Sequence, residues 1–174
     1  MSETYFWSDP HLNHLNSLRW RPQFDSMEEM NEAIIEEYNR LITPQDTVHI
    51  LGDVCLGDSR ESAAMVSRLN GKKHLKVGNH DTDAKLRIYA EENVFETIMT
   101  SERIKLGRRN LFLCHYPMLV ANFTENPEWV IHGHTHQLLP FSAAAPQNIH
   151  VGYETFTQPI SIDEIASLIL TSLS

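Results

Sequence analysis

The chain has 174 residues, 41% hydrophobic and 21% charged, with seven glycines and eight prolines. That balance excludes a disordered chain, a fibrous repeat and a multidomain machine, and predicts one domain over 1–174. A formal net charge of −9 repels phosphate backbones, which excludes broad nucleic-acid coating but not a local phosphate site. Two cysteines, Cys55 and Cys114, are too few for a disulfide framework. With no leader pattern over Met1–Trp7 and no run approaching about 20 apolar residues, the expectation is a cytoplasmic protein without a membrane span.

In chain order, Tyr5-Phe6-Trp7 predicts a strand ending in the polar string Ser8-Asp9-Pro10-His11. Met30, Ala33, Ile34, Tyr38 and Leu41 recur at three- and four-residue steps. They predict a helix over 26–42, capped by Ser26 with Glu29 and stopped by Pro44. Thr47 to Leu51 predicts a second strand ending at Gly52-Asp53. Residues 59–69 read as a helix closed by Asn70-Gly71, and Leu75-Lys76-Val77 as a third strand ending at Gly78-Asn79-His80-Asp81. A weaker helix spans 83–92, and Ile104–Leu106 and Leu111–Leu113 form a hairpin around residues 107–110, with His115 after its second arm. Val130-Ile131-His132 leads into Gly133-His134-Thr135-His136, and Ser161 with Glu164 caps a last helix through Ile165, Ile169 and Leu173. Strands alternating with helices, then hairpin strands, predict an α/β layered architecture with a mixed sheet. Ligands of such sheets gather beyond the carboxyl ends of the strands.

Those ends carry Asp9, Asp53, Asn79, His115 and His134, in a chain with ten histidines. Asp9 and His11 are two apart, as are His134 and His136, so in extended backbone each pair projects to one side. Oxygen and imidazole donors without thiolate suit manganese, iron or zinc, and there are enough for two ions. Each string alone is also ordinary turn chemistry. Four of them at successive strand ends point to a dinuclear metal site.

The ordered strings Asp9-x-His11, Gly52-Asp53, Gly78-Asn79-His80-Asp81, His115 and Gly133-His134-Thr135-His136 resemble the calcineurin-like metallophosphoesterases. His14, Arg21-Pro22 and His115-Tyr116-Pro117 resemble its compact branch associated with phages and bacteria. The resemblance implies a β-sandwich of two mixed sheets flanked by helices. It implies one metal held by Asp9, His11, Asp53 and His136, and another by Asp53, Asn79, His115 and His134, with Asp53 bridging. Manganese is the favoured ion, with iron, zinc or nickel as alternatives. His80 is implied to act as general acid while a metal-activated hydroxide, with Asp53 among the catalytic groups, attacks a small phosphoester. A phosphodiester is favoured because the ions and His80 can both serve a leaving alkoxide or aryloxide, and a chain without room for a large cap implies an open groove permissive toward small phosphodiesters or nucleotides. His14 and Arg21, with Asn79, are candidate substrate contacts.

Other readings are a phosphomonoesterase of the same family and a non-catalytic metal-binding scaffold, against which stands the retention of every ligand position and of His80. A metallo-β-lactamase type is disfavoured because Gln137-Leu138-Leu139 follows His136 where that type continues into Asp-His. A protein phosphatase is disfavoured because Val54-Cys55-Leu56-Gly57 follows Asp53 in place of an Asp three residues on and Arg-Gly. Lys72-Lys73 and Arg108-Arg109 read as solvated turn charges, His132 as a buried imidazole behind the site, and Cys114 as facing away from it.

Overall fold

A computed structural model describes residues 2–119 and 128–172. Two mixed sheets face each other. The first has the order β4(Thr97–Met99), β3(Lys72–Lys76), β2(Thr47–Ile50), β1(Thr4–Trp7), β9(Ile160–Ser161). Its strands are parallel except for β9, which pairs with β1 antiparallel. The second has the order β5(Ser101–Leu106), β6(Arg109–Cys114), β7(Trp129–His132), β8(Asn148–His150), with only the β5–β6 hairpin antiparallel.

The period of two explains the layering. Along β1, Tyr5 and Trp7 join a core with α1(Met27–Leu41), α2(Ser59–Val66) and α3(Asp83–Glu91), while Phe6 points the other way. Phe6 joins Leu111, Leu113, Trp129, Ile131 and Ile149 between the sheets, where α4(Ile162–Ser172) adds Ile165 and Ile169.

The helix signals act as expected at their starts. Ser26 Oγ accepts from Glu29 N at 3.1 Å, and Ser161 and Glu164 cap each other reciprocally, Ser161 N donating at 2.6 Å and Glu164 N at 3.2 Å. The last helix is described to Ser172, so Leu173 lies outside the described residues. The second helix ends at Val66, short of the expected 69, and β3 starts at Lys72 rather than 75. Lys73 is accordingly no solvated turn charge: it is buried in the strand and its ammonium donates to Leu69 O at 2.7 Å. Three short strands, β4, β8 and β9, carry too little periodicity to be read from sequence.

This topology fixes where the polar strings meet. β1 and β2 are parallel neighbours in register, Trp7 against Ile50, and their pairing runs on past the strands: Asp9 N donates to Gly52 O at 3.1 Å and His11 N to Asp53 O at 3.2 Å. In the second sheet β6 and β7 are parallel neighbours, and Gly133 N donates to His115 O at 3.0 Å.

Candidate metal centre

The strings after β1, β2 and β3 meet those after β6 and β7, and two groups of donors result. Asp9, His11 and His136 form one and Asp53, His115 and His134 the other, each with its ligand atoms within 4.8 Å of one another. Asp53 lies between them. Its Oδ2 is 3.7 Å from His11 Nε2, 3.5 Å from His115 Nε2 and 3.9 Å from His80 Nε2. Asn79 joins the second group through Oδ1, 3.0 Å from His115 Nε2.

The backbone differs from the extended one that the spacing predicts. Asp9, His11, Asp53, His134 and His136 all have positive φ, between 46° and 68°. Residues two apart still project together, but through alternating left-handed kinks. Each such residue costs on the order of 1–3 kcal/mol and persists where surrounding structure imposes it, characteristically at functional sites. Aspartate and histidine are among the non-glycine residues that enter this region most readily.

The kinks also need small neighbours. A Cβ on Gly133 would sit 1.9 Å from Ser8 Oγ and 2.2 Å from Asp9 Oδ2. Gly52, at φ +91°, would carry one 2.6 Å from His115 Nδ1. Both close approaches bring a metal-site loop against a strand end.

Hydrogen bonds behind the donors aim their lone pairs inward. His115 Nδ1 faces Leu51 O at 2.7 Å, and His136 Nδ1 faces Glu154 Oε2 at 2.9 Å. Each ring therefore donates backwards and turns Nε2 to the centre, the arrangement found behind most metal-ligating imidazoles. Burial alone would raise the carboxyl of Asp9, but His11 and His115 beside it reverse this and hold it at about 2, ionised. Asp9 Oδ1 and His11 Nε2 are buried without a hydrogen-bond partner among the described residues. Two inward-facing polar atoms left unsatisfied in this way are costly, and a divalent cation would satisfy both. The donor set therefore fits a metal, with hard oxygen and borderline nitrogen and no sulfur.

The residues around the donors fall partly outside the sequence reading. His80 N donates to Asp53 Oδ1 at 2.8 Å, while its ring stands half exposed over the Asp53 carboxylate. His14 Nδ1 meets His11 Nδ1 at 3.1 Å, and burial, then the charge of His11, pulls its pKa down to about 4.

Arg21 is placed differently from a substrate contact. It is buried, its Nη1 and Nη2 donate to Pro10 O at 2.6 Å and Asp9 O at 2.9 Å, and Nε and Nη2 bind Glu154 Oε1 at 3.0 and 2.7 Å. Its guanidinium also covers the Tyr153 ring at 4.2 Å. Every nitrogen is engaged in bracing the Asp9 loop, so none is free for a phosphate.

Asp81 is buried as well, and its Oδ2 accepts from Asp53 N at 3.0 Å and Gly78 N at 2.8 Å, which locks two strand-end loops together. Glu154 is the residue that sequence reasoning missed, because Gly152-Tyr153-Glu154 carries no motif. His132 is buried with Nδ1 2.8 Å from Gly133 O, and the Cys114 thiol, also buried, donates to Tyr116 O at 3.0 Å.

No protein-family model matches the chain. The Gene 66 protein of Mycobacterium phage L5 is 30% identical, over 97% of this chain and 95% of its own length. An uncharacterized protein of Methanocaldococcus jannaschii is 31% identical, over 97% of this chain and 92% of its own. Among solved structures, a protein of unknown function from Aquifex aeolicus matches 97% of this chain and all of its own, with a TM-score of 0.75 at 26% identity. The E. coli phosphoesterase Yfce shares a looser likeness, with a TM-score of 0.45 at 19% identity over 86% of this chain and 78% of its own. The chain belongs to one family with the Gene 66 protein of Mycobacterium phage L5 and the Methanocaldococcus jannaschii protein. Its two mixed sheets and the helices α1 to α4 form the layered α/β fold expected from the sequence. Among the described residues no helix is long and apolar enough to cross a membrane.

Proposed function

We propose that residues 1–174 act as one domain that hydrolyses small phosphodiesters with two divalent ions, manganese being the first to test. The observation that carries this is the position of Asp53 Oδ2, 3.5–3.9 Å from imidazole nitrogens of His11, His80 and His115. One carboxylate so placed serves both donor groups at once. Asp9, His11, His136 and Asp53 would hold one ion, and Asp53, Asn79, His115 and His134 the other. Ions in those places would supply Lewis-acid activation of the phosphoryl group and of the attacking water.

The remaining chemistry belongs to the chain. Asp9 and Asp53 are the carboxylates of the centre and the imidazoles around them are neutral donors, so two divalent ions would leave the site cationic and draw in an anionic ester despite the acidic surface. His80 stands at the open side, tethered through its backbone to Asp53. There its ring can give a proton to the departing oxygen, for which imidazole has a suitable pKa. The diester reading is favoured because among the described residues the site offers no lysine or arginine for the second charge of a monoester: Arg21 is consumed below the loop.

The test is metal analysis and turnover together. Protein purified without added metal and then loaded with manganese should bind close to two ions per chain and hydrolyse bis(p-nitrophenyl) phosphate. Asp53→Asn should lower both ion content and rate. Two tightly held ions in that variant, or no turnover of any mono- or diester by the loaded protein, would sink the reading.

A further inference from the structure

A cavity of about 530 Å³ opens over the candidate centre, several times the space of a phosphoryl group and within the range that encloses a drug-sized molecule. His11, His14, His80 and His136 face it, with Glu154 behind. The rim is of another kind: it is built by Trp20 and Leu138, 43% and 76% exposed. Among the described residues no lysine or arginine lines the cavity, and Glu154 is committed to Arg21 and His136. Beyond the centre the cavity therefore offers a flat apolar wall and no cation.

Trp20 is also held in place. It closes the turn of 3-10 helix Leu15–Arg19, its backbone N–H donates to Ser17 O at 3.1 Å, and its ring meets those of His14 and His136 edge-on at 5.6 and 6.1 Å. His14 packs on His80 as well, at 6.0 Å. A phosphoryl group over the centre thus has His80 toward one side and Trp20 toward another.

We propose that Trp20, with Leu138, binds the ester group that the substrate retains, and that the substrate is a monoanionic phosphodiester whose retained group is flat and aromatic, such as a nucleobase or aryl ring. The inference rests on the phosphodiesterase reading above and extends it. A polyphosphate tail would bring charge that this lining has no cation to match, whereas an aromatic ring would cover the exposed indole, a contact that is sequence-tolerant in bases and typically changes affinity about tenfold or more.

Two substrates share the p-nitrophenyl leaving group and differ in what is retained: bis(p-nitrophenyl) phosphate and methyl p-nitrophenyl phosphate. Wild type should prefer the diaryl ester through KM, and the ratio of kcat/KM for the two should fall about tenfold in Trp20→Ala and less in Trp20→Phe. Turnover of both with a ratio unmoved by Trp20→Ala overturns the Trp20 assignment alone, whereas absence of turnover of either in wild type removes the phosphodiesterase reading with it. Binding supplies a readout apart from activity, since Trp7 and Trp129 are buried and Trp20 is the exposed tryptophan. Diphenylphosphinate, which has no ester bond to cleave, should shield Trp20 fluorescence from acrylamide in the metal-loaded protein, and dimethylphosphinate should shield it much less. Equal shielding by the two, or none by either, counts against the aromatic subsite.

Discussion

Glu154 Oε2 lies 2.9 Å from Nδ1 of His136 while its Oε1 accepts from Nε and Nη2 of Arg21, so one carboxylate ties an imidazole of the candidate centre to the guanidinium that braces the Asp9 loop. Burial alone would raise this carboxyl, but the His136 hydrogen bond and the Arg21 charge bring it down to about 2. Glu154→Gln keeps the shape and removes the charge that fixes the His136 ring. Manganese affinity should fall about 10- to 100-fold, read by metal titration of the folded variant. Unchanged affinity would separate Glu154 from the centre. Glu154→Ala should be worse for stability, by about 3–5 kcal/mol, because it strands a buried guanidinium.

The His80 ring approaches the Asp53 carboxylate from the open side, at 3.9 Å, and is not needed to fill either donor group. His80→Ala should leave metal content near that of wild type and lower kcat by about 10²–10⁴ on an ester with a poor leaving group. With p-nitrophenolate, which departs without a proton, the loss should be much smaller. A variant that loses metal, or one slowed equally on both kinds of ester, would contradict a proton-donor role.

Asp81 holds the backbone from which Asp53 springs, accepting from Asp53 N and Gly78 N in a buried setting. Asp81→Ala leaves the buried N–H groups of Asp53 and Gly78, and the more loosely held one of Val54, without their acceptor, at a cost of roughly 1–3 kcal/mol for each well-made bond. Denaturant unfolding should show a loss of about 2–5 kcal/mol, and manganese binding should weaken although no proposed ligand is changed. A variant as stable as wild type would mean that water replaces the carboxylate.

These three cases show what could be read before folding. Asp9, His11, Asp53, His115, His134 and His136 were legible because donor side chains recur in fixed short strings at the ends of apolar runs, and strand order then brings those ends to one edge. The second rank was not. Glu154 and Asp81 act over 18 residues to His136 and 28 to Asp53, and at such separations a side chain's partner depends on topology rather than on neighbouring letters. Arg21 shows the same limit from the other side: an arginine beside a polar loop looks available for phosphate until burial shows its nitrogens taken. The extended geometry expected for Asp9-Pro10-His11 failed because period-two alternation describes strands, whereas these residues lie just beyond one.

His49 is buried between the sheets, where β2 turns it toward Phe6 and away from the helices. Its ring stacks on Phe6 at 5.4 Å and His74 at 5.3 Å, and its Nδ1 is 3.5 Å from Glu102 Oε2, which also lies 3.0 Å from the buried ammonium of Lys76. Burial first, then the Lys76 charge, pulls its pKa down to about 4, with Glu102 opposing. In the unfolded chain the same ring titrates near 6.5. Between those values the unfolded state binds a proton that the folded state refuses, so stability is full above about pH 6.5 and falls as pH drops toward 4. The loss from this one ring reaches about 3 kcal/mol, from roughly 2.5 pH units at about 1.4 kcal/mol each. His49→Gln removes that contribution and leaves those of His74 and His150, which burial also pushes down. Urea unfolding at pH 7, 5.5 and 4.5 should therefore give a shallower acid slope for the variant than for wild type. Parallel slopes would show that the His49 proton is accommodated in the fold, with Glu102 as its partner.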